Sequence, residues 1–157
     1  MNLLKSAFGR SSDRDSAARL LRLAYRTGAV VDFFAIAGMV APAQLWPARF
    51  QKPLDRHSYE MKYAFRSGAP LMAGWTALLV WADQNPIERK GVIAITAVPV
   101  VAGLMTNDYM AARAGLVQPS SVIPTRIMQA GLLGLFGIAY YRATGVERAP
   151  TTSNSGH

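Results

Sequence analysis

Four apolar blocks of bilayer length dominate the chain, and short, charged, proline-containing segments separate them. The blocks run over about 27–46, 64–82, 91–110 and 122–141. A helix needs about 20 predominantly apolar residues to cross the hydrocarbon core of a bilayer. In a soluble chain of 157 residues, four such blocks would leave too little polar surface to cover them. The sequence therefore predicts an all-α integral membrane protein, a bundle of four transmembrane helices over 27–142.

The two ends of the chain differ in composition from this bundle. Residues 1–26 are basic, and Arg19, Arg22 and Arg26 fall on one stripe of a helix. This pattern predicts an N-terminal amphipathic helix that lies at the membrane interface. A helical extension of the first span with solvated arginines fits the same pattern. The polar segment 143–157 is predicted to be a disordered tail.

The distribution of basic residues predicts the orientation. With the spans placed as above, ten of the 17 Lys and Arg residues lie on the side of the N-terminus and seven on the other. Six of the ten precede the first block, which usually dominates topology. Because Lys and Arg are enriched on the cytoplasmic side, we expect both termini in the cytoplasm.

The amino-acid composition limits the kinds of catalytic and cofactor site that the chain can form. The chain has no Cys, which excludes disulfides, thiol nucleophiles and thiolate metal sites. Its two His residues are His57 and the terminal His157, so paired axial histidines for a haem within the membrane are lacking. Even a catalytic zinc usually has three protein ligands, and His57 has only Glu60 nearby in sequence. We expect no haem or metal held by the protein's own ligands, and the sequence identifies no other cofactor.

Net charge indicates the class of partner. In a soluble protein, a net charge of +8 would suggest that the partner is a nucleic acid. Here the basic residues flank the apolar blocks, which favours membrane lipids, including anionic headgroups, and no nucleic acid.

Asp32 interrupts the first apolar block. A charged group inside a membrane is costly and normally faces the interior of a bundle. Thr96 in the third block is predicted at matching depth, and Tyr140 in the fourth lies close enough to reach the same place. These residues form a candidate ligand site. The alternative is that Asp32 only forms a hydrogen bond with a neighbouring helix, or reaches toward an Arg or Lys at the interface.

A second polar group is predicted near the outer interface, at the opposite ends of the helices. Its members are Arg66, Asn107, Asp108, Arg126 and Gln129. Together they could bind an anionic headgroup or a carboxylate ligand. The alternative is an Arg66–Asp108 ion pair that joins two helices.

Small residues recur at helical spacing in two blocks. In lipid, close backbone approach rather than a hydrophobic driving force favours helix association. We therefore expect these faces to build the bundle, or to dock a partner protein or a second copy. They are Ala69, Ala73 and Ala77 in the second block, and Ala130, Gly131, Gly134 and Gly137 in the fourth.

The segments "TGAVVDFF" and "GWTALLVWADQNPIERKGVIAITAVPVVAGL" resemble a group of small bacterial four-helix integral membrane proteins. The likeness covers about Thr27 to Arg142, and its most specific part is "WAD" at 81–83 followed by "PIERK" at 86–90. The resemblance implies a four-helix fold in a bacterial inner membrane. It implies no activity, cofactor or catalytic residue.

Three kinds of function fit these features. The absent nucleophiles and the small-residue faces favour a non-enzymatic subunit or accessory factor of a membrane complex. The alternative is a bundle that binds a small lipophilic ligand such as a quinone, lipid or isoprenoid, which requires a cavity reaching Asp32 or the Arg66 group. An oligomeric transporter or channel is the third choice.

The predicted orientation can be tested by cysteine labelling. Because the chain has no Cys, Ser12→Cys and Ser120→Cys each introduce a single thiol. A membrane-impermeant maleimide should label Ser120→Cys in intact cells, and Ser12→Cys only after the membrane is disrupted. The reverse pattern would contradict the orientation.

Overall fold

The structure is a computed structural model that describes residues 2–41 and 59–148. These residues form four helices, named here α1 (Asn2–Val40), α2 (Tyr59–Gln84), α3 (Gly91–Arg113) and α4 (Pro119–Arg148). The predicted all-α fold is confirmed. The remainder of the first predicted span, beyond residue 41, lies outside the described residues, as does His57.

Three of the four helices are long and apolar enough to cross a membrane. The qualifying stretches are Ser12–Val40, Gly91–Arg113 and Pro119–Arg148. α2, although 26 residues long, does not qualify, and it contains Arg66 and Pro70 within the predicted span. The structure thus supports three of the four predicted spans by length and composition.

The N-terminal segment is not a separate interfacial helix, because α1 runs without a break from Asn2 to Val40. An isolated glycine such as Gly28 does not stop a helix. The basic stripe is exposed, whereas the opposite face of the same segment is buried against the bundle. Its buried residues are Ala17, Leu21, Ala24 and Tyr25. The helical extension of the first span, which the pattern also allowed, is what the structure shows.

Pairs of helices differ in how much of their length is in contact. α1 lies along both α2 and α4, and α4 packs against α3 over most of its length. Within the described residues, α2 approaches α3 only at Gly91–Ile95, next to the turn that joins them. Beyond that point α2 and α3 diverge, so the bundle is closed at one end and separated at the other.

The turn between α2 and α3 contacts both α1 and the end of α2. The hydroxyl of Tyr25 donates a hydrogen bond to the carbonyl of Arg89 over 2.8 Å. The Arg89 guanidinium lies 3.6 Å from the ring centroid of Trp81 and donates to the Trp81 carbonyl. A capping box at Asn85 and Glu88 would predict that α3 begins at Pro86, but residues 86–90 form turns and the helix begins at Gly91.

Two ion pairs lie at this closed end. Arg26 of α1 pairs with Asp83 of α2 at 3.1 Å, and Lys90 of the turn pairs with Glu147 of α4. The residues buried here are apolar and almost fully inaccessible. They include Leu21, Ala24, Leu79, Ala82, Ile93, Ala139 and Ala143. Direct contacts therefore link α1, α2, the turn and α4 at one level of the bundle.

The connection from α3 to α4 follows local sequence signals. Gly115 has φ +66°, a left-handed conformation that favours glycine at a helix C-terminus. The Leu116 N–H bonds to the Ala111 carbonyl at 3.0 Å, which closes the helix. α4 then begins at Pro119 and continues to Arg148, so 143–148 is helical rather than part of a disordered tail. The rest of that tail, 149–157, lies outside the described residues.

The outer surface of the bundle is apolar. Phe34 of α1 is 69% exposed and Leu71 of α2 is 77% exposed, and Val98 and Ile127 are similarly open on α3 and α4. Soluble monomers rarely expose contiguous apolar surface of this kind. The fold is therefore compatible with a membrane protein whose large apolar side chains face lipid.

Candidate functional site

A cavity of about 250 Å³ lies inside the separated end of the bundle. All four helices contribute to its wall, which is mostly apolar. Five polar side chains are the exceptions: Asp32, Thr96, Asp108, Thr125 and Gln129. Four of these five were singled out from the sequence. The structure brings them into one cavity rather than the two separate sites predicted at opposite ends of the helices.

The cavity begins where the closed end of the bundle stops. At Gly28, an added Cβ would lie 3.1 Å from a Leu79 side-chain atom and 3.3 Å from the Phe136 ring. α1 therefore approaches α2 and α4 more closely here than a larger side chain would allow. Gly28 and Phe136 also line the cavity, and so form its floor.

The cavity opens toward the apolar surface of the bundle. Met72 of α2 and Leu104 of α3 both line it, at a level where these two helices no longer touch. Leu104 is 44% exposed, and Met128 of α4 is exposed to a similar extent. A molecule dissolved in lipid could therefore enter sideways, between α2 and α3.

Helix α3 is irregular at the cavity. Its segment Thr96–Ala102 is a π-helix that contains Pro99. Proline lacks the N–H needed for a regular helical bond, and short π-helical segments occur frequently at functional sites. Val100 and Val101 of this segment line the cavity, and the buried Thr96 donates its hydroxyl to the Val92 carbonyl at 2.7 Å.

Asp32 lies one helical turn above the floor. Because α1 is antiparallel to α2 and α4, the contacts of Gly28 with Leu79 and Phe136 place Asp32 level with Trp75 and Leu132. The Asp32 Oδ2 atom is buried and has no hydrogen-bond partner among the described residues. The indole nitrogen of Trp75 is likewise buried without a described partner. The expected hydrogen bond from Asp32 to a neighbouring helix is thus not formed.

Asp108 and Gln129 meet across α3 and α4. The Gln129 Nε2 donates to Asp108 Oδ2 at 3.3 Å, and Gln129 is only 5% exposed. Its other polar atom, Oε1, is buried and lacks a partner within the described part of the chain. Asp108 is therefore bonded to Gln129. The described ion pairs join other residues, so the alternative Arg66–Asp108 pair is wrong.

The remaining members of the second predicted group lie elsewhere. Arg66 and Asn107 are exposed, and neither belongs to the cavity wall. The Arg126 guanidinium lies 5.9 Å from the ring centroid of Tyr109, also outside the wall. Tyr140, expected near Asp32, is exposed on α4. Of the candidate residues, the cavity wall therefore contains both acids, Thr96 and Gln129, but neither arginine.

Several wall residues could not be singled out from the sequence. Met39, Met72 and Met128 line the cavity, but methionines in apolar blocks carry no signal of their own. Their long, flexible side chains can adapt to ligands of different shape. Thr125 was missed because a threonine near a helix end is unremarkable in a sequence.

The small-residue faces do not build the bundle. Ala130, Gly131, Gly134 and Gly137 are exposed, on the side of α4 opposite its buried stripe. A Cβ added at any of these three glycines would meet no described atom within 4 Å. In α2, Ala69 is buried but Ala73 and Ala77 are exposed. The expectation that these faces hold the helices together is wrong for all but Ala69.

No match to this chain was found among protein-family models, curated proteins or solved structures. Within the described residues, no cluster of three or more His, Cys, Asp or Glu could hold a metal ion.

The unpaired carboxylate leads to a stability prediction. A buried polar group without a partner costs about 1–3 kcal/mol, whereas an apolar replacement of similar size does not. Asp32→Leu should therefore raise the midpoint of thermal unfolding in mild detergent. Asp83→Leu, which removes the ion pair with Arg26, should lower the midpoint or leave it unchanged. A larger loss for Asp32→Leu than for Asp83→Leu would show that Asp32 is structural.

Proposed function

We propose that the protein is an integral membrane protein of a bacterial inner membrane, with both termini in the cytoplasm, whose cavity binds a small lipophilic ligand. The observation that carries the proposal is the cavity itself, in which Asp32 and Gln129 hold buried polar atoms that no described residue satisfies. Buried polar groups in folded proteins normally have partners. A ligand bound in the cavity would supply partners for these two atoms.

We also propose that α2 is the fourth transmembrane helix. α2 runs antiparallel to α1, with Leu79 beside Gly28 and Gly68 beside Met39. It therefore accompanies the apolar part of α1 along most of its length. The exposed Leu71 gives α2 an apolar outer surface like that of the other three helices.

The size of the cavity limits the ligand. Pockets for drug-sized molecules usually measure about 300–1,000 Å³. At about 250 Å³, this cavity suits a smaller molecule, or one part of a longer lipid, quinone or isoprenoid. The opening between α2 and α3 would allow the rest of such a molecule to remain in the membrane.

A second candidate function rests on a different observation. The exposed glycines of α4 leave a face that another transmembrane helix could approach closely. This supports a role as a subunit or accessory factor of a membrane complex, which the sequence favoured first. An oligomeric pore has less support, because Asp32 faces the interior of a single bundle.

Native mass spectrometry can test the proposal. Protein extracted from its own membrane in mild detergent should carry a bound small molecule. Ala35 lines the cavity, so Ala35→Phe should fill it and abolish the adduct. Ala37, two residues further along α1, is exposed, and Ala37→Phe should retain the adduct.

Two results would contradict ligand binding. One is an adduct that persists unchanged in Ala35→Phe, which would place the molecule outside the cavity. The other is wild-type protein that carries a stoichiometric protein partner and no small molecule, which would favour the subunit role.

A further inference from the structure

We infer that the ligand of this cavity carries a cationic head group that donates hydrogen bonds, such as a protonated amine on an apolar chain. The inference rests on the proposed function and specifies the chemical class of its ligand. It is carried by the charge of the wall, by the two buried acceptor atoms, and by the apolar remainder of the cavity.

The charged groups in the wall have one sign. Asp32 and Asp108 line the cavity, whereas none of the described wall residues is Lys, Arg or His. An anionic head group such as a phosphate or carboxylate would meet two acids in a region of low dielectric constant, where like charges repel strongly. The anionic ligand expected from the sequence depended on Arg66 and Arg126, and neither lines the wall.

The two acids are not equivalent. Asp108 accepts a hydrogen bond from Gln129, and Arg126 lies beside Tyr109, the residue that follows Asp108 in the chain. Arg26, the nearest basic residue to Asp32 along α1, is paired with Asp83. Asp32 is therefore the acid whose charge the described residues leave uncompensated, and the cationic group is assigned to it.

Among the residues of the cavity wall, the two side-chain atoms that are buried without a described partner are both acceptors. They are Asp32 Oδ2 on α1 and Gln129 Oε1 on α4. The unpartnered donors Trp75 Nε1 and Arg126 Nη2 belong to residues outside the wall. Asp32 is level with Leu132, and Gln129 lies three residues before Leu132 in α4, a difference in depth of about 4.5 Å. An ammonium group has three donors and bonds carboxylates at about 2.7–2.9 Å. A ligand that donates hydrogen bonds can therefore satisfy these acceptors, which a ligand with only acceptor atoms could not.

The rest of the cavity suits an apolar chain. Aliphatic surface in the wall comes from Val31, Val100, Leu104 and Leu132. An amphiphilic amine entering from the bilayer would bury its chain here. Its ammonium would leave the headgroup region, and contact with the Asp32 carboxylate would offset the cost of a charge at this depth.

The test uses three photoreactive octyl probes that differ only in their ends. Each carries a diazirine on the chain and terminates in an ammonium, a hydroxyl or a carboxylate group. Full-length protein in nanodiscs of phosphatidylcholine is irradiated with each probe at pH 7, and labelled residues are identified by mass spectrometry. Labelling of the buried, cavity-lining Leu132 is divided by labelling of the lipid-facing Ile138, which lies on the same tryptic peptide.

The ammonium probe should label Leu132 about tenfold more than the carboxylate probe, equivalent to about 1.4 kcal/mol. In Asp32→Asn the advantage of ammonium over hydroxyl should disappear, while hydroxyl labelling persists and shows that the cavity is still formed. Asp83→Asn should keep the wild-type preference, because Asp83 lies outside the cavity wall.

Two results would overturn the inference in distinguishable ways. Equal or stronger labelling by the hydroxyl or carboxylate probe in the wild type would exclude a cationic ligand and leave the cavity as a lipophilic site. Failure of all three probes to label Leu132 above the level at Ile138 would overturn the proposed ligand-binding function as well.

Discussion

The close contact of three helices at Gly28 determines where this bundle is solid and where it is hollow. Without a side chain at that position, Leu79 and Phe136 reach the backbone of α1, and α1, α2 and α4 close around them. On one side of this contact Leu21, Ala24 and Tyr25 are fully buried. On the other side the short Ala35 leaves space that neighbouring side chains do not fill, and the cavity begins.

The most distinctive segment of the sequence belongs to the closed end. Within "WADQNPIERK", Trp81 and Arg89 stack, Asp83 pairs with Arg26, and Lys90 pairs with Glu147. These contacts hold the ends of the helices together while α2 and α3 diverge beyond the turn. This segment therefore has a structural role, and the candidate binding residues lie elsewhere.

Local signals made part of this account predictable from the sequence. Apolar length located α3 and α4, Gly115 marked the end of α3, and a carboxylate in an apolar run marked Asp32. What could not be predicted depends on contacts between helices. The relative depth and rotation of α1, α3 and α4 bring Asp32, Asp108 and Gln129 into one cavity wall. The rotation of α4 also places its glycine face on the outside of the bundle. The π-helix through Thr96–Ala102, which contains Pro99, could not be predicted from the sequence.

The central claim is that α2 spans a membrane with one face toward lipid and the other toward a cavity. Two adjacent residues of α2 allow a direct test. Leu71 is exposed on the apolar surface and Met72 lines the cavity, so a spin label on Leu71→Cys or Met72→Cys reports on each side. In reconstituted bilayers, electron paramagnetic resonance should show high oxygen and low nickel-chelate accessibility at position 71. Position 72 should show a less mobile label with much lower oxygen accessibility. High nickel-chelate accessibility at both positions, or equal lipid-like accessibility at both, would contradict the account.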